Sequence, residues 1–188
     1  MSDTAELLDV FDALVAVLRR HDVPYFITGS FASSVHGEFR ATNDIDIVAK
    51  LAASRLASVL VDLSAAFVTD ADQAPEALSR GAGFNVIHST TYLKVDVFPC
   101  VTAFNRAAIS RAVAIEFPGS RERFRIASVE DILLSKLWWF RLGGEVSEVQ
   151  RRDVRRLVEL NRARLDRVYL SVWSRVLQVD DLLSRVFV

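Results

Sequence analysis

The chain has 188 residues, 24 acidic and 23 basic side chains for a net charge of −1, and 51% hydrophobic residues. That length and hydrophobicity exclude a disordered chain and suit one domain, or a domain with a small appendage, that buries about two-thirds of its unfolded surface. The charge excludes a global field for nucleic acid, the absence of any apolar run near ~20 residues excludes a membrane partner, and a single cysteine, Cys100, excludes an internal disulfide or a Cys-based zinc cluster.

The opening MSDTAELLDVFDALVAVLRR starts acidic and turns amphipathic, unlike a signal peptide, so a cytoplasmic location is expected. Within it, Leu7, Leu8, Phe11, Leu14, Val15 and Leu18 recur at helical spacing and predict a helix over 4–20. PYFIT (24–28) reads as a buried strand, FASSVHG as a short helix ending at Gly37, DIDIVAK as a strand, and 52–63 as an amphipathic helix. A loop rich in acids and alanine follows. GFNVIHSTTYLKVDVFP reads as two strands joined near Ser89–Thr91, and AVAIEF with RFRIAS as a hairpin around Pro118-Gly119. Ser128 with Asp131 forms a capping box for a helix through Phe140. Gly143-Gly144 breaks that helix, Ser147 with Gln150 caps the next, and a last helix is expected over 166–177. This order predicts an α+β fold: a core over 1–127 and a small helical part over 128–188.

Three features carry chemistry. In a strand, side chains alternate, so Asp44 and Asp46 share one face while Ile45 and Ile47 take the other. Two carboxylates so close raise each other's pKa unless a cation sits between them. Magnesium, or manganese, suits such a pair, because these ions take carboxylate and phosphate oxygens. The bland alternative is two solvated aspartates at a strand end. Asp96, flanked by Val95 and Val97, would face the same way if its strand is a neighbour; it would then complete a metal site or act as a general base, or else be a surface aspartate. Gly29-Ser30, between a strand and a helix, offers close backbone approach, free N–H groups and a hydroxyl to phosphate oxygens. By itself a Gly-Ser pair is more often an ordinary helix start.

The lysines are scarce: Lys50, Lys94 and Lys136 stand beside twenty arginines. Lys136 lies next to the apolar stripe of its helix, either snorkelling at the surface or aimed as a point charge at a triphosphate. Lys94 could pair with the acids or with phosphate and ranks lower. Residues 151–167 carry seven arginines against three acids, a solvated helix face or a surface for an anionic partner. His36 and His88 read as structural, Trp138, Trp139 and Phe140 as core more than a base-stacking platform, and Cys100 as a small buried residue.

Gly29, Ser30, Asp44, Asp46 and Asp96, in the order strand, Gly-Ser, helix, Asp-apolar-Asp strand and later strand Asp, resemble the polymerase-β-like nucleotidyltransferase superfamily. Within it the chain is most similar to the AbiEii-type group, many of whose members are toxins of toxin–antitoxin systems. That likeness rests on RATNDIDI, with Arg40 and Thr42 at the basic and hydroxyl positions, and on VEDILLSKLWWFRLGGEVSEVQRRDV, with Lys136, Arg141 and Asp153 at the helical Lys, Arg and Asp positions. It covers roughly residues 25–160. The resemblance implies a mixed sheet flanked by helices and transfer of NMP from an NTP, with Mg2+ or Mn2+, to a hydroxyl of RNA such as tRNA or of protein. Nucleotide contacts then fall to Gly29, Ser30, Arg40, Thr42 and Lys136, metal binding to Asp44, Asp46 and Asp96, and an antitoxin is a possible partner. The chain departs from the pattern in its thirteen-residue gap between Ser30 and Asp44 and in being shorter than many such toxins. The alternatives are a non-catalytic nucleotide- or partner-binding module, or a nucleotidyltransferase acting on a small molecule such as an antibiotic.

Overall fold

Period-two alternation in two of the central strands decides which way the sheet faces. The computed structural model of the protein describes residues 2–37, 44–70 and 72–187. In chain order it contains α1 (Ser2–Arg20), β1 (Tyr25–Thr28), α2 (Gly29–His36), β2 (Asp44–Ala49), α3 (Ala53–Leu63), β3 (Phe67–Thr69), α4 (Gln73–Ser79), β4 (Phe84–His88) and β5 (Lys94–Pro99). There follow α5 (Ala103–Arg111), β6 (Val113–Glu116), β7 (Arg123–Ile126), α6 (Val129–Leu142), α7 (Glu148–Asn161), α8 (Arg167–Val176) and α9 (Asp180–Val186). The seven strands form one mixed sheet in the order β3-β4-β5-β2-β1-β7-β6. β1 runs parallel to β7 and β2 parallel to β5, and the other neighbours are antiparallel. The α+β architecture with a mixed sheet is as expected.

One face of the sheet is dry. Ile27, Ile45, Ile47 and Val95 alternate onto it and are fully buried. α1 lies there, with the Phe11 ring 5.2 Å from Phe124 of β7 and 4.5 Å from Phe31 of α2. Burial of these rings sets the position of α2 relative to β1. The far end of α2 is tied down as well. His36 Nε2 lies 2.8 Å from the Ala127 carbonyl, and Asn161 of α7 donates to the His36 carbonyl at 2.9 Å. His36 is therefore structural, and burial holds its imidazole below the ordinary pKa.

The caps fall where the sequence puts them. Ser128 Oγ accepts from the Asp131 amide and donates to the Asp131 carboxylate at 2.7 Å. Ser147 accepts from the Gln150 amide at 3.3 Å. Four elements were not foreseen. The supposed loop after α3 holds β3, a three-residue strand with only Phe67 buried, and α4, a seven-residue helix with only Ala74 buried; neither is long enough to show a period. α5 buries only Phe104 and Ala108 and starts from a Thr102 cap. The helix expected last, α8, is followed by α9. Cys100 is half-buried, not fully buried as expected, because it lies just past the end of β5.

Because Phe11 is fully buried against two rings on separate elements, Phe11→Ala is expected to cost about 3–5 kcal/mol. Urea unfolding followed by circular dichroism checks this; a loss under about 1 kcal/mol would contradict the packing described.

Candidate active site

The other face of the sheet carries the acids. Strand register sets Thr28, Asp46 and Asp96 in one row across β1, β2 and β5, and Asp44 beside Lys94 in the next. Neighbouring strands lie about 4.8 Å apart, and alternate residues along a strand about 6.6–7 Å apart, so the three carboxylates share one small patch. All of them belong to the face opposite Ile45, Ile47 and Val95, as the alternation predicts.

Gly29 brings the end of a helix onto this patch. It opens α2 in the left-handed region (φ +68°), and a Cβ built there would stand 1.8 Å from Asp46 Oδ2. Both the backbone conformation and the space therefore demand glycine. The bare Cα lets the Asp46 carboxyl sit against the N-terminus of α2, where free N–H groups and the helix dipole favour negative charge.

Burial, then repulsion from Asp44 and Asp96, pushes the Asp46 carboxyl up from 3.8 to about 6, against the pull of Lys94 and Lys136. The two lysines are held differently. Lys136 of α6 is buried, and its ammonium donates to Asp153 Oδ2 of α7 at 3.0 Å. It is not a snorkelling surface lysine, and Asp153 is its orienting partner. Lys94 lies 2.6 Å from Asp96 Oδ2, and 45% of its side chain is exposed.

A cleft of about 540 Å³ opens beside the patch. Thr28, Gly29, Ser30, Asp46 and Lys136 are among the residues that line it. Phe98, Phe104, Trp138 and Trp139 form an aromatic wall, with Thr102, Asn105, Ser135 and Gln150 as its polar groups. Trp139 is 48% exposed and its ring lies 6.4 Å from Phe98. The expectation that Trp138 and Trp139 are core is corrected for Trp139, which faces the cleft; Trp138 is partly buried, packs against the core as expected and also lines the cleft. Sequence reading missed Thr102 and Asn105 because α5 was not foreseen; the Thr102 cap was the signal that could have revealed it.

Other expected residues stand elsewhere. Arg141 donates to Asp181 at 2.6 Å and to the Gln178 carbonyl at 2.9 Å, which ties α6 to α9. His88 lies 3.0 Å from Thr91 Oγ1 and edge-on to Phe67, a structural role. Arg40 and Thr42 lie outside the described residues.

Among the described residues no group of three His, Cys, Asp or Glu side chains is arranged to hold a metal ion unaided. The donor set nevertheless fits a hard divalent cation. It offers carboxylate oxygens alone, the Lys94 ammonium already stands in as a cation on Asp96, and Mg2+ is commonly held by one or two carboxylates with substrate phosphates completing its shell.

A mixed sheet with paired strand aspartates against a glycine-opened helix is the arrangement that the resemblance to nucleotidyltransferases implies. The chain belongs to the DUF6036 family, described as nucleotidyltransferases of unknown function, which matches residues 5–177. It is a nucleotidyltransferase. No curated protein matches it in sequence. Among solved structures it is similar to an antigenic nucleotidyltransferase-like protein from Paracoccidioides brasiliensis, at TM-score 0.56 and 15% identity over 95% of this chain and 91% of that one. It is also similar to the antibiotic-resistance factor ANT(2'')-Ia, at TM-score 0.52 and 16% identity over 98% and 94%. The lincosamide antibiotic adenylyltransferase LnuA, bound to lincomycin, matches at TM-score 0.50 and 16% identity over 78% and 92%. At these identities the likeness is one of fold.

An acid whose folded-state pKa lies above its unfolded value destabilises the fold when ionised. For Asp46 that penalty is full above about pH 6 and is relieved as pH falls toward 3.8. Asp46→Asn is therefore expected to stabilise the nucleotide-free protein at pH 7.5 by about 1–2 kcal/mol after screening, with most of the gain gone at pH 4. Urea unfolding at both pH values measures it. A variant less stable than the parent at pH 7.5 would contradict this reading.

Proposed function

We propose that the protein is a metal-dependent nucleotidyltransferase that moves an NMP from an NTP to a hydroxyl acceptor. The observation that carries the proposal is the seating of Asp46 on Gly29, which joins a strained carboxylate cluster and a phosphate-binding helix end at one point. Asp44 and Asp46 would hold Mg2+ or Mn2+, with Asp96 completing the site. When bound, the ion supplies Lewis acidity and charge neutralisation at the α-phosphate. The α2 N-terminus at Gly29-Ser30 binds the β- and γ-phosphates, and Lys136, oriented by Asp153, faces the same triphosphate. The acceptor oxygen bonds to the α-phosphorus, the bond to pyrophosphate breaks, and the hydroxyl proton passes to Asp96. In this reading residues 1–127 form the donor core and supply Phe98 and Phe104 to the aromatic wall, and the helices over 128–188 contribute Lys136, Trp138 and Trp139. Arg40 and Thr42 join the nucleotide contacts through the resemblance alone.

The acceptor follows from what surrounds the cleft. Arg152 and Arg155 are exposed on α7, the helix that also supplies Asp153, which supports a polyanionic acceptor such as tRNA, or an acidic protein surface. The aromatic wall favours a second reading, a compact hydroxyl compound of antibiotic size. AbiEii-type membership, with a toxin role and an antitoxin partner, rests on the Lys136 and Asp153 positions and on the resemblance.

Incubation with labelled NTPs, Mg2+ and total cell RNA, protein or small metabolites tests the proposal. Label is expected to transfer with the parent protein and to vanish with Asp46→Ala. Lys136→Met is expected to slow transfer by about 10²–10³. Transfer that survives Asp46→Ala would sink the assignment.

A further inference from the structure

Two of the three lysines in the chain stand at the carboxylate patch, and their surroundings give them opposite character. Lys136 is buried and locked to a residue of another helix. Lys94 lies on β5 itself, two residues before Asp96 and directly across from Asp44, with its ammonium on Asp96 and nearly half of its side chain in solvent. Asp96 also keeps 21% of its side chain exposed. Solvent screens such a pair, so it separates at little cost. The carboxylate it touches is one that the proposed reaction needs for metal and proton. An ammonium seated on Asp96 Oδ2 offsets that carboxylate's charge and repels a divalent cation brought to the same group.

We propose that Lys94 is a built-in counter-cation of this site. In the nucleotide-free protein its ammonium holds Asp96, and when a divalent cation arrives with the nucleotide it leaves that carboxylate for a phosphate oxygen. The proposal rests on the nucleotidyltransferase reading. It makes Lys94 a positioning residue that couples metal binding to nucleotide binding: the free protein resists the cation, and the phosphates of the incoming nucleotide give the displaced ammonium a new partner.

The test is Mn2+ binding to the nucleotide-free protein, read from the electron paramagnetic resonance of free Mn2+. Lys94→Gln is expected to bind Mn2+ about tenfold more tightly than the parent, and its KM for Mg-NTP is expected to rise about tenfold with a smaller change in kcat. Lys94→Arg keeps the charge, so its KM should stay near that of the parent and its Mn2+ affinity should be no higher. A folded Lys94→Gln protein whose Mn2+ affinity equals the parent's would overturn the proposal. Should that variant fail to fold, tighter Mn2+ binding by Lys94→Arg would overturn it instead. Asp46→Ala separates the two levels: nucleotidyl transfer that survives it sinks the site itself, whereas transfer lost with Asp46→Ala and unchanged Mn2+ binding in Lys94→Gln sinks only the role of Lys94.

Discussion

The interaction on which the site depends is the crowding of like charge on one face of β2 and β5. Asp44, Asp46 and Asp96 are brought together by strand register, and the helix that follows β1 is lowered onto Asp46 through a glycine. Burial and the mutual repulsion of the acids make the ionised cluster costly in the empty protein, burial being the largest contribution at Asp46. A fold that carries such a cost holds a place ready for positive charge. Everything else described at the site answers to it: the dipole end of α2, the ammonium of Lys94, and Lys136 turned inward from α6.

What makes the patch possible is the dry side of the sheet. Ile27, Ile45, Ile47 and Val95 bury completely and hold their strands so firmly that the alternate positions have no choice of face. α1 clamps the same side through Phe11, and α2 is caught between that ring stack and the Ala127 and Asn161 contacts at its far end. The helical part brings Lys136 to the acids and shares their cleft. Ser128 caps α6, α6 presents Lys136, Trp138 and Trp139 to the cleft, and α7 returns with Asp153 to fix the lysine.

Much of this was legible in the residues, and the reasons differ from place to place. Asp44 and Asp46 show themselves because a period of two leaves an aspartate-isoleucine alternation no other reading as a strand. The caps at Ser128 and Ser147 are local chemistry and fall where the letters put them. The pairing of Asp46 with Asp96 could only be supposed, because register between strands fifty residues apart is decided by packing. α5 left little trace, since it buries only Phe104 and Ala108, and the cleft wall that depends on it was hidden with it. Trp139 was misjudged because an aromatic side chain in a helix looks the same whether it faces core or cleft. The contact of Lys94 with Asp96, two residues away, could be weighed only once Asp44 and Asp46 are known to stand alongside.

The central claim is that the carboxylate patch receives a divalent cation together with a nucleotide. The most direct measurement is calorimetric titration of a non-hydrolysable NTP analogue with and without Mg2+, on the parent protein and on Asp46→Ala. The expected result is binding at least about tenfold (about 1.4 kcal/mol) tighter with Mg2+, with the gain abolished in Asp46→Ala. Equal affinity with and without Mg2+, or a Mg2+ gain that persists in Asp46→Ala, would contradict it.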